Sequence, residues 1–564
     1  MADRIGILQC SRRKRLPPKP LIFQLFLALT LCGWLSTRAL LAQEPVAVPV
    51  QEPIQPQQAE AAGTTIDAGT TRDVPPSGEP SQSSQDATLT DETPLRSGLR
   101  WHVGGTWRLA GERTSALDLN QPESLRLTPN DRGEHRLRLG GDIAFAQAKG
   151  FVRELAVQLE ADLRQANDTT ETPDGFLMRK AFAEATTLAG RFGAGRTVAQ
   201  WGLGLVAQNG VDDPMQFGFK RGGGIVDRVQ YAILPAAILQ SGDPLNAFPL
   251  ALAAAYDRVR LDDLARSESD VAHHWILALL YRGKDLQAGV YGVKRDQTDA
   301  AGLGLRVLIG DAYVNYGLWT RTGWRLSIAG EVAVISGTST WLRTISQPDH
   351  LDVAQWGGVI RGEAAHKALK VRLEGGFASG DDRPFDGTLR NFQFASDYHV
   401  GLVLFSQYMR LQSRSTMANL GDPRFTNGAP AGVEHVDTHG AVTQAMYLHP
   451  VVRVEAHPRL AVLAGAVWAQ APVDVADPYQ TYLAGGVPTG PRGAKKQRDL
   501  GLEFDTAVEW NQPLGLGPDG GGLALLARLD AGVLLPGHAF DAADGTAATA
   551  VAAAQAQLAL RGSW

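Results

Sequence analysis

Residues 550–564 read AVAAAQAQLALRGSW. One parity carries Ala554, Ala556, Leu558, Leu560, Gly562 and Trp564, with no charge and no amide. The other carries Gln555, Gln557, Ala559, Arg561 and Ser563. A period of two places one apolar and one polar face on a β-strand. Chain ends fray unless something holds them, so a strand that runs to Trp564 predicts that this residue is engaged. Two arrangements fit: an edge strand of a soluble sheet, or the closing strand of a barrel.

The texture recurs upstream. In Phe151–Arg164, Leu155, Val157, Leu159, Ala161 and Leu163 share one face, while Glu154, Gln158, Glu160, Asp162 and Arg164 share the other. Glu134–Gln147 precedes it, and Lys149-Gly150 reads as a tight turn between the two. Further alternating runs begin near Arg100, Phe176, Ala189, Ile225, Leu250, His274, Leu286, Leu303, Trp324, Val353, Leu369, Val400, Val442, Leu460, Leu500 and Leu523. No run in this region approaches the ~20 apolar residues of a spanning helix. A chain that crosses a membrane without such helices must satisfy its backbone by closing a sheet. A secreted sandwich or solenoid is the soluble rival. No short repeat supports a solenoid, and the strands lack the continuous apolar runs of strands buried on both faces. The reading is all-β: a transmembrane antiparallel β-barrel over residues 99–564, of about 18 strands (range roughly 16–20), an even count being preferred.

Residues 1–42 read as an export signal: basic Arg12, Arg13, Lys14 and Arg15, an apolar Leu21–Leu35, and a small Ala42. Ser11-Arg12-Arg13 and Leu29–Cys32 allow twin-arginine and lipoprotein variants of that signal. Residues 43–98 are rich in Pro, Gln and Ser and lack Phe, Trp and Tyr; such a linker is predicted disordered. The only cysteines, Cys10 and Cys32, fall in the signal, so the exported chain would carry no disulfide. A net charge of -5 argues against a nucleic-acid partner. The expected partners are outer-membrane lipid and the barrel-assembly machinery, in a Gram-negative cell.

Three stretches resemble alginate-export-type outer-membrane β-barrels: Phe176–Gly210, Phe377–Asp386 (FASGDDRPFD), and Leu500–Asp505 (LGLEFD) with Leu534-Leu535-Pro536-Gly537 further on. The aromatic C-terminal end is similar too. The resemblance implies passage of an acidic polysaccharide past lumen arginines.

The residues themselves offer lumen candidates. Arg136, Arg138, Arg164, Arg179, Arg191, Arg196, Arg372 and Arg410 lie in or beside alternating runs, with Glu160 and Asp162 on comparable strands. Pointing inward, the arginines would form a basic lining. The alternative is a ladder of salt bridges that braces the barrel, since 54 basic residues face 59 acidic ones. Trp101, Trp107, Trp275, Tyr281, Trp319, Trp324, Tyr408, Trp468 and Trp564 fall near expected strand ends, as an interfacial girdle would. Asp381, Asp382 and Asp386 offer clustered carboxylates of the kind Ca²⁺ favours, although the spacing is not that of an EF-hand. No Gly-x-Ser-x-Gly motif is present, and no catalytic set is expected. A passive channel or exporter for ions, small solutes or an acidic polysaccharide is the leading reading. A closed structural or adhesion barrel, plugged by Ser415–Thr438, is the alternative.

Overall fold

The computed structural model describes residues 98–115, 131–147, 149–167, 174–235, 249–267, 269–320, 322–342, 349–424, 431–515 and 522–563. The expected signal and linker (1–97) and Trp564 lie outside the described residues. The described chain forms eighteen long strands. They are β1 (Gly98–Thr114), β2 (Asp131–Ala146), β3 (Val152–Ala166), β4 (Gly175–Thr187), β5 (Gly190–Val198), β6 (Ile225–Ile233), β7 (Leu250–Leu261), β8 (Val271–Arg282), β9 (Leu286–Thr298), β10 (Gly304–Trp319), β11 (Arg325–Ser339), β12 (Leu351–His366), β13 (Leu369–Ala378), β14 (Met446–His457), β15 (Leu460–Gln470), β16 (Asp499–Pro513), β17 (Leu523–Pro536) and β18 (Val551–Ser563). A two-residue segment, Thr388–Leu389, pairs in parallel with β12. Each long strand pairs antiparallel with its neighbours in sequence, and β1 pairs with β18 from Gly104↔Ser563 to Thr114↔Ala553. The sheet is therefore a closed barrel without a free edge.

Alternation sets which side chains face out. Leu159 and Leu163 on β3 are 56% and 57% exposed, whereas Asp162 between them is 3% exposed. On β18, Ala554, Ala556 and Leu558 face out, while Gln555 and Gln557 are buried inside. Apolar outside and charged inside inverts a water-soluble protein; such an outer surface is solvated by hydrocarbon.

One expected strand is absent. The run near Val400 is not in the wall. Leu404–Met409 forms a π-helical turn, followed by helix α1 (Arg410–Gly421). Val400, Leu402, Val403, Leu404 and Phe405 are all buried. They are apolar on both parities, so neither face suits a strand with one wet side.

The two ends differ. At the end holding the strand termini Gly98 and Ser563, turns are as short as Leu188-Ala189 and Lys367-Ala368. At the other end, residues 199–224 link β5 to β6 and residues 379–445 link β13 to β14. In outer-membrane barrels long connections mark the extracellular end. Here both fold back inside the barrel.

Candidate functional site

A chain folded into a lumen must find partners for its backbone N–H and C=O groups. Here the wall supplies charged ones. Inner loop 1 (residues 199–224) hangs on two carboxylates of β10 and β11. The Trp201 Nε1–H donates to Asp311 Oδ1 at 2.8 Å; the Leu203 and Leu205 N–H groups donate to Glu331, the latter at 3.2 Å. Gly202, at φ +48°, leaves no room for a Cβ, which would stand 2.5 Å from Glu331 Oε2. Guanidiniums hold the loop's carbonyls. Arg136 donates to Arg221 O at 3.0 Å, Arg108 to Lys220 O at 3.2 Å, and Arg179 to Asn209 O at 3.1 Å. From the opposite wall, Arg453 donates to Pro214 O at 3.2 Å, and Arg372 pairs with Asp213 at 2.8 Å. The loop is strapped across the lumen.

Inner loop 2 (residues 379–445) uses the same chemistry. Glu503 on β16 accepts the N–H groups of Leu402, Val403 and Leu404 at 2.6, 2.7 and 2.7 Å. Asp397, itself on loop 2, accepts the N–H groups of Arg221, Gly222 and Gly223 of loop 1 at 2.8, 2.9 and 2.7 Å. Around Glu503, Tyr398, Leu402, Phe405 and Tyr408 pack with the wall residues Tyr447, Val451, Leu463 and Val467 into one buried apolar cluster.

The sequence candidates divide accordingly. Arg136, Arg138, Arg164, Arg179, Glu160 and Asp162 converge on the β2–β4 wall and face inward. Arg138 grips Asp162 with two bonds of 2.7 and 2.8 Å; Arg179 reaches Glu160 at 2.6 Å and Arg164 reaches Glu134 at 2.8 Å. Arg372 belongs to the opposite wall. Arg191 faces inward near the short turns, 3.3 Å from Glu184. Two placements are corrected. Arg196 points outward: its register partners Ala181 and Asp227 lie on the outer face, and Arg196 pairs with Asp227 at 2.7 Å. Arg410 lies on α1 rather than on a strand and is fully buried in the lumen, where it donates to Ser406 O at 3.0 Å.

Other expectations also shift. The expected plug, Ser415–Thr438, lies partly outside the described residues, which omit 425–430. Among the described residues the inward segment begins well before Ser415, and its apolar heart is residues 392–411. Asp386 is bound by Arg390 at 2.9 Å and Asp382 by Lys496 at 3.2 Å. Asp381 accepts the N–H groups of Arg383 and Arg390. Each carboxylate of the Ca²⁺ expectation thus has a protein partner. Trp101, Trp275, Trp319 and Trp468 do face outward, at 43–64% exposure, while Tyr408 is buried in loop 2. Ser396 Oγ donates to Asp263 at 2.6 Å.

Between the basic β2–β4 wall and the inner loops lies a cavity of about 400 Å³. Asp162 and Arg179 line one side. Tyr291, Val293, Leu305, Val307 and Ile309 line another, and loops contribute Arg221, Arg390, Phe394 and Asp397. The lining thus mixes charged and apolar side chains, with His274 and Arg295 beside Tyr291 and Val293. The sequence pattern singles out neither Arg108 nor Glu331, carries Glu503 only as one more strand carboxylate, and gives Asp397 only as a neighbour of His399. The first three sit at inward parity on their strands, a visible signal; Asp397 sits on the connection taken for a strand.

Burial would raise the Asp397 carboxyl, but the His399 charge and the N–H groups of Arg221 and Gly222 outweigh it and hold it down at about 2. Burial pushes the neighbouring His399 down to about 4. An unfolded His titrates near ~6.5. The released loop therefore binds more protons than the latched one as pH falls from about 6.5 to about 4, and latching weakens across that window. Asp397 adds a further loss only as pH drops from ~3.9, its unfolded value, towards about 2. We expect limited proteolysis of loop 2 to quicken between pH 6.5 and 4 in the wild type and to quicken less in His399→Gln, where His435 of the same loop, also pushed down by burial, still contributes.

Fold and site together define an up-and-down β-barrel whose lumen is narrowed by two inward loops. No family model matches the sequence, and no curated protein matches it. Solved structures to which it is similar include several from Pseudomonas aeruginosa. OccK9 (OpdG) shows 11% identity over 82% of this chain and 98% of that one, TM-score 0.47. OpdL shows 11% identity over 83% and 98%, TM-score 0.46. OpdO shows 12% identity over 82% and 97%, TM-score 0.45.

Proposed function

We propose that the protein is an outer-membrane channel of a Gram-negative bacterium that passes small solutes. One observation carries this: a closed barrel, apolar outside, encloses a charged cavity of about 400 Å³ between loops that narrow but line the lumen. That volume suits a small ligand. An acidic polysaccharide needs a continuous wide path, which the two inner loops oppose, so the polymer reading is set aside. No chemistry is required of the site; passage is diffusion past fixed charges. In planar bilayers we expect discrete conductance steps. Replacing Arg390 with Gln leaves Asp381 and Asp386 uncompensated beside the cavity. The reversal potential in a salt gradient should then move towards cations. A folded barrel that gives no conductance under any condition sinks the channel reading. The apolar cluster around Glu503 favours a second reading, a barrel silent until loop 2 moves.

A further inference from the structure

The outer face carries one row of side chains that transport does not use. Read across the strands by register, it runs Arg196↔Asp227↔Arg258↔His273↔Asp296↔Arg306, from β5 to β10. All six lie at outward parity near the end with the long connections. The next row towards the barrel's middle is Val229↔Tyr256↔Trp275↔Lys294↔Leu308. Lys294 Nζ lies 5.0 Å from the Trp275 ring, and Tyr256 bonds His273 at 2.7 Å. Aromatic side chains of this kind settle where hydrocarbon meets headgroups. The charged row therefore stands one step out, at headgroup depth.

The arc is unbalanced. From β5 to β10 the row and its flanking positions carry Arg196, Arg258, Arg260, Lys294 and Arg306 against Asp227 and Asp296; the next outward carboxylate, Asp352, stands two strands beyond Arg306, across Thr338. Asp227 is shared by Arg196 at 2.7 Å and Arg260 at 2.6 Å, and Asp296 is taken by Lys294 at 2.9 Å. Arg258 and Arg306 are exposed, and among the described residues neither has a carboxylate within ion-pair distance. The opposite arc differs. Its outward row at the same end is Leu448↔Trp468↔Leu502↔Leu535, without a charge.

We propose that the β5–β10 arc binds the phosphate-bearing headgroup of an outer-leaflet lipid, with Arg258 and Arg306 as its free phosphate donors. The two carboxylates hold their flanking cations in place. Guanidinium suits phosphate because it presents paired N–H donors in a plane. This rests on the barrel lying in an outer membrane.

The test uses the full chain in phosphatidylcholine nanodiscs doped with bis-phosphorylated lipid A, with retained lipid counted by native mass spectrometry. The wild type should enrich lipid A over phosphatidylcholine. The variant Arg258→Gln/Arg306→Gln should lose that enrichment by at least about tenfold. Arg113→Gln, an exposed cation on β1, should not. Millimolar inorganic phosphate should fail to displace the lipid. Equal retention by the double variant, equal retention of dephosphorylated lipid A, or displacement by inorganic phosphate overturns the proposal. Bilayer conductance separates the two readings. A conducting barrel with equal retention overturns the arc alone, whereas a wild type that inserts into no bilayer overturns the membrane reading and the arc with it.

Discussion

Excising residues 380–444 and joining Ser379 to Ala445 through a short Gly-rich turn will raise single-channel conductance several-fold. The geometry permits the join: Ala378 and Ala445 already exchange backbone hydrogen bonds of 2.7 and 3.2 Å. The wall stays closed, because β13 and β14 pair from Leu369↔Val454 to Phe377↔Met446. What leaves is the apolar filling. Tyr398, Leu402, Phe405 and Tyr408 no longer cover Tyr447, Val451, Leu463 and Val467, and water enters that half of the lumen. Barrels of about 16–18 strands are wide enough for an aqueous channel. Loop 1 loses the Asp397 contacts but keeps its bonds to Glu331, Arg136 and Arg179, so the opening is partial. An excised barrel that inserts normally with unchanged conductance would show that loop 2 does not restrict the path.

Glu503→Ala removes the acceptor for three buried N–H groups at once. Each unsatisfied group costs about 1–3 kcal/mol, so the latch at Leu402–Leu404 loses several kcal/mol in all. We expect loop 2 to leave the wall in an appreciable fraction of molecules. The measurement is trypsin cleavage at Arg410, which is wholly buried in the wild type. Cleavage at this bond should speed up by a factor of about 10² or more, while the barrel wall stays resistant. Glu503→Gln keeps one acceptor oxygen and should fall between the two. Equal cleavage in wild type and Glu503→Ala would mean that the apolar cluster alone holds the loop.

Much of the barrel was legible because alternation is local. Leu155, Leu159 and Leu163 against Glu160 and Asp162 set the facing of β3 without knowledge of any other strand. The same signal misled at Val400, where a brief apolar run resembles a strand but belongs to the filling; the preference for an even strand count pointed the right way. Arg196 was misplaced for a related reason. A charged residue at outward parity is legible only against Phe192 and Ala194 on its own strand. The inner site was less visible. Glu331 and Glu503 read as further polar positions, because what distinguishes them is backbone N–H groups delivered from over 95 residues away in sequence. Periodicity carries no information about such partners. The brace reading of the arginines contained part of the answer. Arg138, Arg164 and Arg179 do pair across strands, but Arg136 and Arg179 also hold loop carbonyls, which charge balance could not foresee.

The seam between β1 and β18 also dictates an order of events. Its eleven residue pairs join Gly104–Thr114 to Ala553–Ser563. Every other junction in the wall links strands adjacent in sequence, so each hairpin can zip locally. Drawing together positions more than 430 residues apart costs about 5 kcal/mol in loop-closure entropy if the intervening chain is slack, and far less once seventeen neighbouring pairs have curled the sheet. The seam therefore forms last, as a cooperative snap that converts two exposed edges into none. Until then both edges are open templates for strand addition by another chain. Assembly intermediates would thus be the species most prone to aggregate, and weakening β18 would show first as slower assembly, before any loss of finished-barrel stability.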